Sequence, residues 1–184
     1  AVCEELRLLG FAGTVLLGSG VGEQLATLTN IETAARKMVT NLGKEDLALV
    51  MLSGHGQQLS REQGDTSFQK SESFYCPVDA QVNRSETQVS LSFLLDEILA
   101  PNVGRKVLLV DACRDVPVDL TNGARNVKGI EGRVVALPED TAIFFSCRAG
   151  QTSFERRELG HGLFSHCVLE GLRAVARLPE AFLL

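Results

Sequence analysis

The sequence lacks any apolar run near the about 20 residues that a membrane-spanning helix needs. It also lacks the basic and apolar opening of a secretory leader. Its first residue is Ala1 rather than Met, so the chain is read as truncated at its N-terminus, with its C-terminus also open. It lacks a CxxC pair. Its cysteines, Cys3, Cys76, Cys113, Cys147 and Cys167, are five in number and scattered, a pattern of neither a zinc site nor a disulfide framework. A reducing, cytoplasmic setting is the expectation. Positive charge is short as well: 18 Lys and Arg face 23 Asp and Glu, a net charge of −5. That balance speaks against nucleic acid as the main partner, and the missing apolar span against a membrane. Repeats and low-complexity tracts are absent. The glycine-rich "LLGSGVGEQ", Leu16 to Gln24, is not GxGxxG, because Glu23 holds the last position and no Lys-Ser/Thr follows. It is read as a flexible loop.

What is there is an alternation of helices and strands. The 184 residues, 45% apolar and 22% charged, suit a single domain over 1–184, since a chain of this length buries roughly 70% of its unfolded surface. Ala1 to Leu9 reads as a helix stopped by Gly10, and Thr14 to Leu17 as a short strand. Thr29-Asn30-Ile31-Glu32 has capping-box form. Behind it Ile31, Ala34, Ala35, Met38, Val39 and Leu42 make a helical stripe, with Gly43 at the position of a C-cap glycine. Leu47 to Leu52, Val107 to Val110 and Ala142 to Phe145 are apolar throughout, as strands covered on both faces are. Leu91, Leu94, Leu95, Ile98 and Leu99 mark a helix ended by Pro101. Phe164, Cys167, Val168, Leu172, Val175 and Ala176 mark the last one. This order predicts an α/β domain with a mostly parallel sheet. Gln57 to Val89, with a further strand near Phe74 to Val78, and Arg114 to Asp140 are read as long loops near a site.

Two strand ends carry the chemistry. "LALVMLSGHGQQ" stops its apolar run at Ser53 and follows it with His55 between two glycines. Fifty-eight positions later (113 − 55), "RKVLLVDACRD" repeats the design with Cys113. Ligands of open parallel sheets bind beyond the carboxyl ends of the strands. A free thiol is only a few per cent thiolate at neutral pH, so it gains from a nearby imidazole that can also protonate a leaving amine. Backbone N–H groups beside the two residues can hold an oxyanion. Taken singly, a histidine between glycines is also a turn residue and a strand-end cysteine a core thiol. Their matched settings argue for one site. Asp111, two before Cys113, shares its face along an extended segment and can bind a cationic substrate side chain. Too close, it would raise the thiol pKa. Cys147, directly after a strand in "FFSC", is the rival nucleophile. It lacks an acidic residue two before it and is read as a wall of the cleft. Cys3, Cys76 and Cys167 are read as core or half-buried thiols. His161 and His166 lack a strand-end setting.

"SGHG" and "DACR" at this separation resemble the caspase-like cysteine peptidases, among them metacaspases, paracaspases and bacterial orthocaspases. "FFSCRAGQTSFE" and "HGLFSHCVLEGLRA" are similar to bacterial caspase-like domains. The resemblance covers nearly the whole chain. It implies a caspase–hemoglobinase-like three-layer α/β/α sandwich, here lacking its first strand. It implies a Cys–His dyad, with Cys113 as nucleophile and His55 as general acid/base, and an oxyanion hole from the backbone amides of Gly56 and Cys113. Aspartate two before the nucleophile implies cleavage after Arg or Lys, with Asp111 and Ser53 in the pocket and His161 in a structural turn. The substrates implied are proteins or peptides with Arg or Lys at the cleaved bond. The aspartate pairs that hold calcium in many metacaspases have no counterpart beyond the isolated Asp65, Asp79 and Asp119, so no metal or other cofactor is expected. Arg125, Lys128 and Arg133 are self-cleavage candidates, though exposed basic residues in a loop explain them as well. A catalytically silent caspase-like interaction domain is the alternative function, and a different cysteine-dependent hydrolase or transferase the third. Oligomeric state is left open.

Overall fold

A computed structural model describes residues 1–61, 70–81, 84–95, 104–112, 140–147, 155–156 and 161–176. The chain order is α1 (Val2–Leu8), α2 (Leu28–Thr40), β1 (Leu47–Gly54), β2 (Gly56–Arg61), β3 (Lys70–Tyr75), β4 (Val89–Ser90), α3 (Leu91–Phe93), β5 (Arg105–Ala112), β6 (Thr141–Phe145), β7 (Glu155–Arg156), β8 (His161–Gly162) and α4 (Leu163–Val175). Two compact units hold these elements. One is Leu16–Ser153, the other Ala1–Val15 together with Phe154–Leu184.

The first unit is built on a parallel sheet in the order β1-β5-β6. Its three strands are the three apolar runs of the sequence, extended at their ends. Register pairs Val50 with Leu108, Leu52 with Val110 and Gly54 with Ala112. Side chains alternate across a strand, so these residues share one face. There they meet Val89, Leu91 and Leu94, and α2 lays Ile31, Ala35, Met38 and Val39 against the cluster. Leu94 and Leu108 are each 1% exposed, which puts the core at the middle of β5.

Both ends of α2 differ from expectation. The cap is Thr27, not Thr29: Thr27 has the extended backbone that a cap needs (φ −81°, ψ 161°), and its hydroxyl accepts the Asn30 N–H at 3.3 Å. Asp79 Oδ1 accepts the Leu28 N–H at 2.9 Å, meeting a second orphan donor of the first turn. The helix closes at Thr40 with Asn41 as its cap. Gly43 instead gives its N–H to Asp46 Oδ2 at 2.7 Å. Thr14 to Leu17 forms no strand. Only Leu17 makes an isolated parallel bridge, with Leu25, and the loop between them closes through Leu17 N–H to the Gln24 carbonyl at 2.9 Å.

The larger correction is the polar stretch after Gln57. It is an antiparallel sheet, β2-β3-β4, not a loop, and its inner strand is Lys70–Tyr75 rather than Phe74 to Val78. Gln57 and Gln58 are adjacent and both buried, so no polar–apolar alternation marks β2. Ser90, which accepts the Phe93 N–H at 3.2 Å and caps α3, also bonds Glu72 of β3. Of the helix expected from Leu91, Ile98, Leu99 and Pro101 lie outside the described residues, as do 114–139 of the second expected loop.

In the other unit α1 ends before Gly10, whose φ is +89°. Arg173 of α4 donates to Glu5 of α1 at 3.0 Å. Strands β7 and β8 pair antiparallel. The buried line of α4 runs through Ser165 and Leu169, so Cys167, two positions and about 200° round the helix from Leu169, is exposed. Cys3 is exposed as well, and Cys76 half-buried. Among the described residues no helix is long and apolar enough to cross a membrane.

Candidate active site

His55 is the single residue between β1 and β2. Up to Leu52 the strand is anchored in the core. Ser53, Gly54 and His55 are exposed, so the chain leaves the core as it reaches the imidazole. Gly54 holds φ +151°, and a Cβ added there would meet Tyr75 Oη at 3.2 Å. Glycine is favoured by this conformation, and the tyrosine hydroxyl would have to give by a few tenths of an ångström for a larger residue. Tyr75 Oη donates to the Ser53 carbonyl at 3.2 Å, and Cys76 N–H donates to the His55 carbonyl at 2.9 Å. Antiparallel ladders alternate hydrogen-bonded and non-hydrogen-bonded pairs. With Cys76 bonded to His55, the Gly56–Tyr75 pair is of the second kind, and the Gly56 N–H points out of the hairpin.

The neighbouring strand end carries Asp111 and Ala112. Residues 108, 110 and 112 face the core cluster, so Asp111 lies on the opposite face, in register with Ser53. The structure thus brings Ser53 and Asp111 side by side on adjacent strands, one exposed and the other 5% exposed. Cys113 follows Ala112 in sequence and lies outside the described residues. Cys147, the rival nucleophile, donates its thiol to the Ala112 carbonyl at 3.4 Å, while Ser146 N–H reaches the Val110 carbonyl at 2.9 Å. The end of β6 is thereby tied to the end of β5.

Tyr75 and Cys76 are the site neighbours that sequence reasoning missed. Burial pushes the Cys76 thiol up, and burial with the nearby Cys76 charge pushes the Tyr75 phenol up. Both stay protonated at neutral pH, which leaves Cys76 a poor nucleophile. The signal in the sequence was thin: the chain's single tyrosine, directly before Cys76 and Pro77. His161 lies in β8 and His166 in α4, both in the other unit. Asp79 accepts the Leu28 N–H at the start of α2. Asp65, Asp119, Arg125, Lys128 and Arg133 lie outside the described residues. Among the described residues no three His, Cys, Asp or Glu side chains gather as a metal site would require.

A mixed α/β fold on a parallel sheet fits a domain of the caspase-like kind. The family model of the caspase domain matches residues 1–182, and the chain belongs to that family: it is a caspase-like cysteine peptidase domain with the family's α/β sandwich fold, and its substrates are proteins. No curated protein matches the chain.

Proposed function

We propose that this chain is a cysteine endopeptidase that cuts after Arg or Lys with a Cys113–His55 dyad. The observation that carries the reading is the register of Gly54 with Ala112. Each partner directly precedes a member of the dyad in sequence. Adjacent strands lie about 4.8 Å apart, so His55 and Cys113 continue the chain from neighbouring strand ends.

In this mechanism His55 takes the thiol proton of Cys113, and the thiolate attacks the scissile carbonyl carbon. The oxyanion that forms accepts hydrogen bonds from the Gly56 and Cys113 amides. The outward Gly56 N–H supports that role, because the hairpin does not consume it. His55 then gives its proton to the leaving amine, and a thioester remains on Cys113. Water, deprotonated by His55, hydrolyses that thioester. No step requires a metal, calcium included.

Asp111 selects the basic side chain, with Ser53 beside it as a neutral acceptor. A carboxylate withdrawn from water pairs a guanidinium through strong charge-assisted bonds. The test is hydrolysis of fluorogenic peptides ending in Arg, Lys or Asp. Cleavage of the Arg and Lys peptides, abolished in Cys113→Ala and in His55→Ala, is the predicted result. Intact peptides under all conditions, with a bound protein partner retained, would favour a silent interaction domain instead.

A further inference from the structure

We infer that Tyr75 is a positioning residue for His55: the end of β3 grips the one-residue junction that carries the imidazole. The inference rests on the dyad reading above and adds a part to it.

Two hydrogen bonds reach the junction from the end of β3 and the residue after it, and Tyr75 also walls the space beside Gly54. Tyr75 Oη donates to the Ser53 carbonyl at 3.2 Å. A Cβ at Gly54 would come within 3.2 Å of Tyr75 Oη and 3.4 Å of its Cε2, so the tyrosine lies directly beside this residue. Cys76 N–H donates to the His55 carbonyl at 2.9 Å. On the far side Gly56 stands opposite Tyr75 in the ladder.

The junction needs such a grip. Here the chain passes from a parallel sheet to an antiparallel one, and Gly54 sits at φ +151°, where glycine has wide freedom. Unrestrained, that residue would let the imidazole swing, and small misplacements of a reacting group are costly in rate. A phenol kept protonated by burial remains a donor across neutral and mildly alkaline pH. Tyr75 acts through the Ser53 carbonyl and the Gly54 backbone and touches no reacting atom.

The test uses Tyr75→Phe, which keeps the ring and removes the donor, and Tyr75→Leu, which removes both. Two readouts are taken: kcat and KM on the Arg peptide, and the NMR signals of the imidazoles, of which the chain has 3, with His55 assigned through His55→Ala. Loss of one neutral hydrogen bond predicts a roughly three- to ten-fold drop in kcat for Tyr75→Phe at unchanged KM, with a larger drop for Tyr75→Leu. The His55 signals shift or broaden while those of His161 and His166 stay in place. Unchanged His55 signals and kcat in Tyr75→Phe overturn the inference. So does an equal disturbance of all three histidines with a lowered Tm, the mark of a merely structural residue. If the wild-type chain cleaves no peptide, or His55→Ala keeps full activity, the dyad reading falls, and the His55 signals alone decide whether the grip exists.

Discussion

Thiols at four described positions of this chain sit in different surroundings, and their reactivities should separate accordingly. Cys3 and Cys167 are exposed, whereas burial raises the Cys76 pKa. Iodoacetamide at neutral pH is expected to modify Cys3 and Cys167 well before Cys76, as followed by peptide mass spectrometry. The gap should narrow as pH climbs past the ordinary thiol value. The same shift has a stability sign. A raised folded pKa means that the unfolded chain loses its proton first, so this contribution is complete below the ordinary thiol pKa and is lost as pH rises through the raised one. At Asp111 the prediction concerns selectivity. Hydrogen bonds to a charged group contribute about 1.5–3 kcal/mol, so Asp111→Ala should cut Arg-peptide kcat/KM by roughly ten- to a hundred-fold, with less effect on folding. An unchanged preference for Arg in that variant would remove Asp111 from the pocket. His55 and Asp111 were legible as site candidates because each closes an apolar run. Tyr75 and Cys76 were not, because only the hairpin carries them to His55 from a polar stretch.

At the level of elements, the strands legible in the sequence were those with unbroken apolar runs; of these β5 is covered on both faces, whereas β6, expected to be buried, leaves Phe144 and Phe145 exposed. β1, β5 and β6 each hold an unbroken apolar run, Leu47 to Leu52, Val107 to Val110 and Ala142 to Phe145, and stand where those runs predicted. β2 was hidden by its two buried glutamines, whose polarity reads as solvent. The cap of α2 was missed by two residues because Thr27 and Thr29 offer the same hydroxyl. The choice between them lies in backbone geometry and in the distant Asp79 carboxylate that meets the Leu28 N–H. Core position predicts stability directly. Leu108 is 1% exposed at the centre of the parallel sheet, and Leu→Ala changes at such sites cost about 2–5 kcal/mol. Chemical denaturation of Leu108→Ala should show a loss in that range. A loss no larger than that of an exposed substitution would contradict the core described here.

Across the whole molecule, the proposed dyad depends on a register that no local stretch contains. His55 and Cys113 lie 58 residues apart (113 − 55), and the pairing of β1 with β5 brings the residues before them into line. Membership in the caspase domain family over residues 1–182 agrees with cysteine peptidase chemistry. The sequence carried the two strand ends plainly. What it could not carry was the second sheet, which joins β1 directly after His55 and turns the Gly56 amide outward. The most direct measurement of the central claim is covalent labelling with an arginine-directed acyloxymethyl ketone, read by intact mass and peptide mapping. The account predicts one adduct, on Cys113, formed by the wild-type chain and lost in His55→Ala. An adduct on Cys147 or Cys76, or labelling of Cys113 that proceeds as fast without the imidazole, would contradict it.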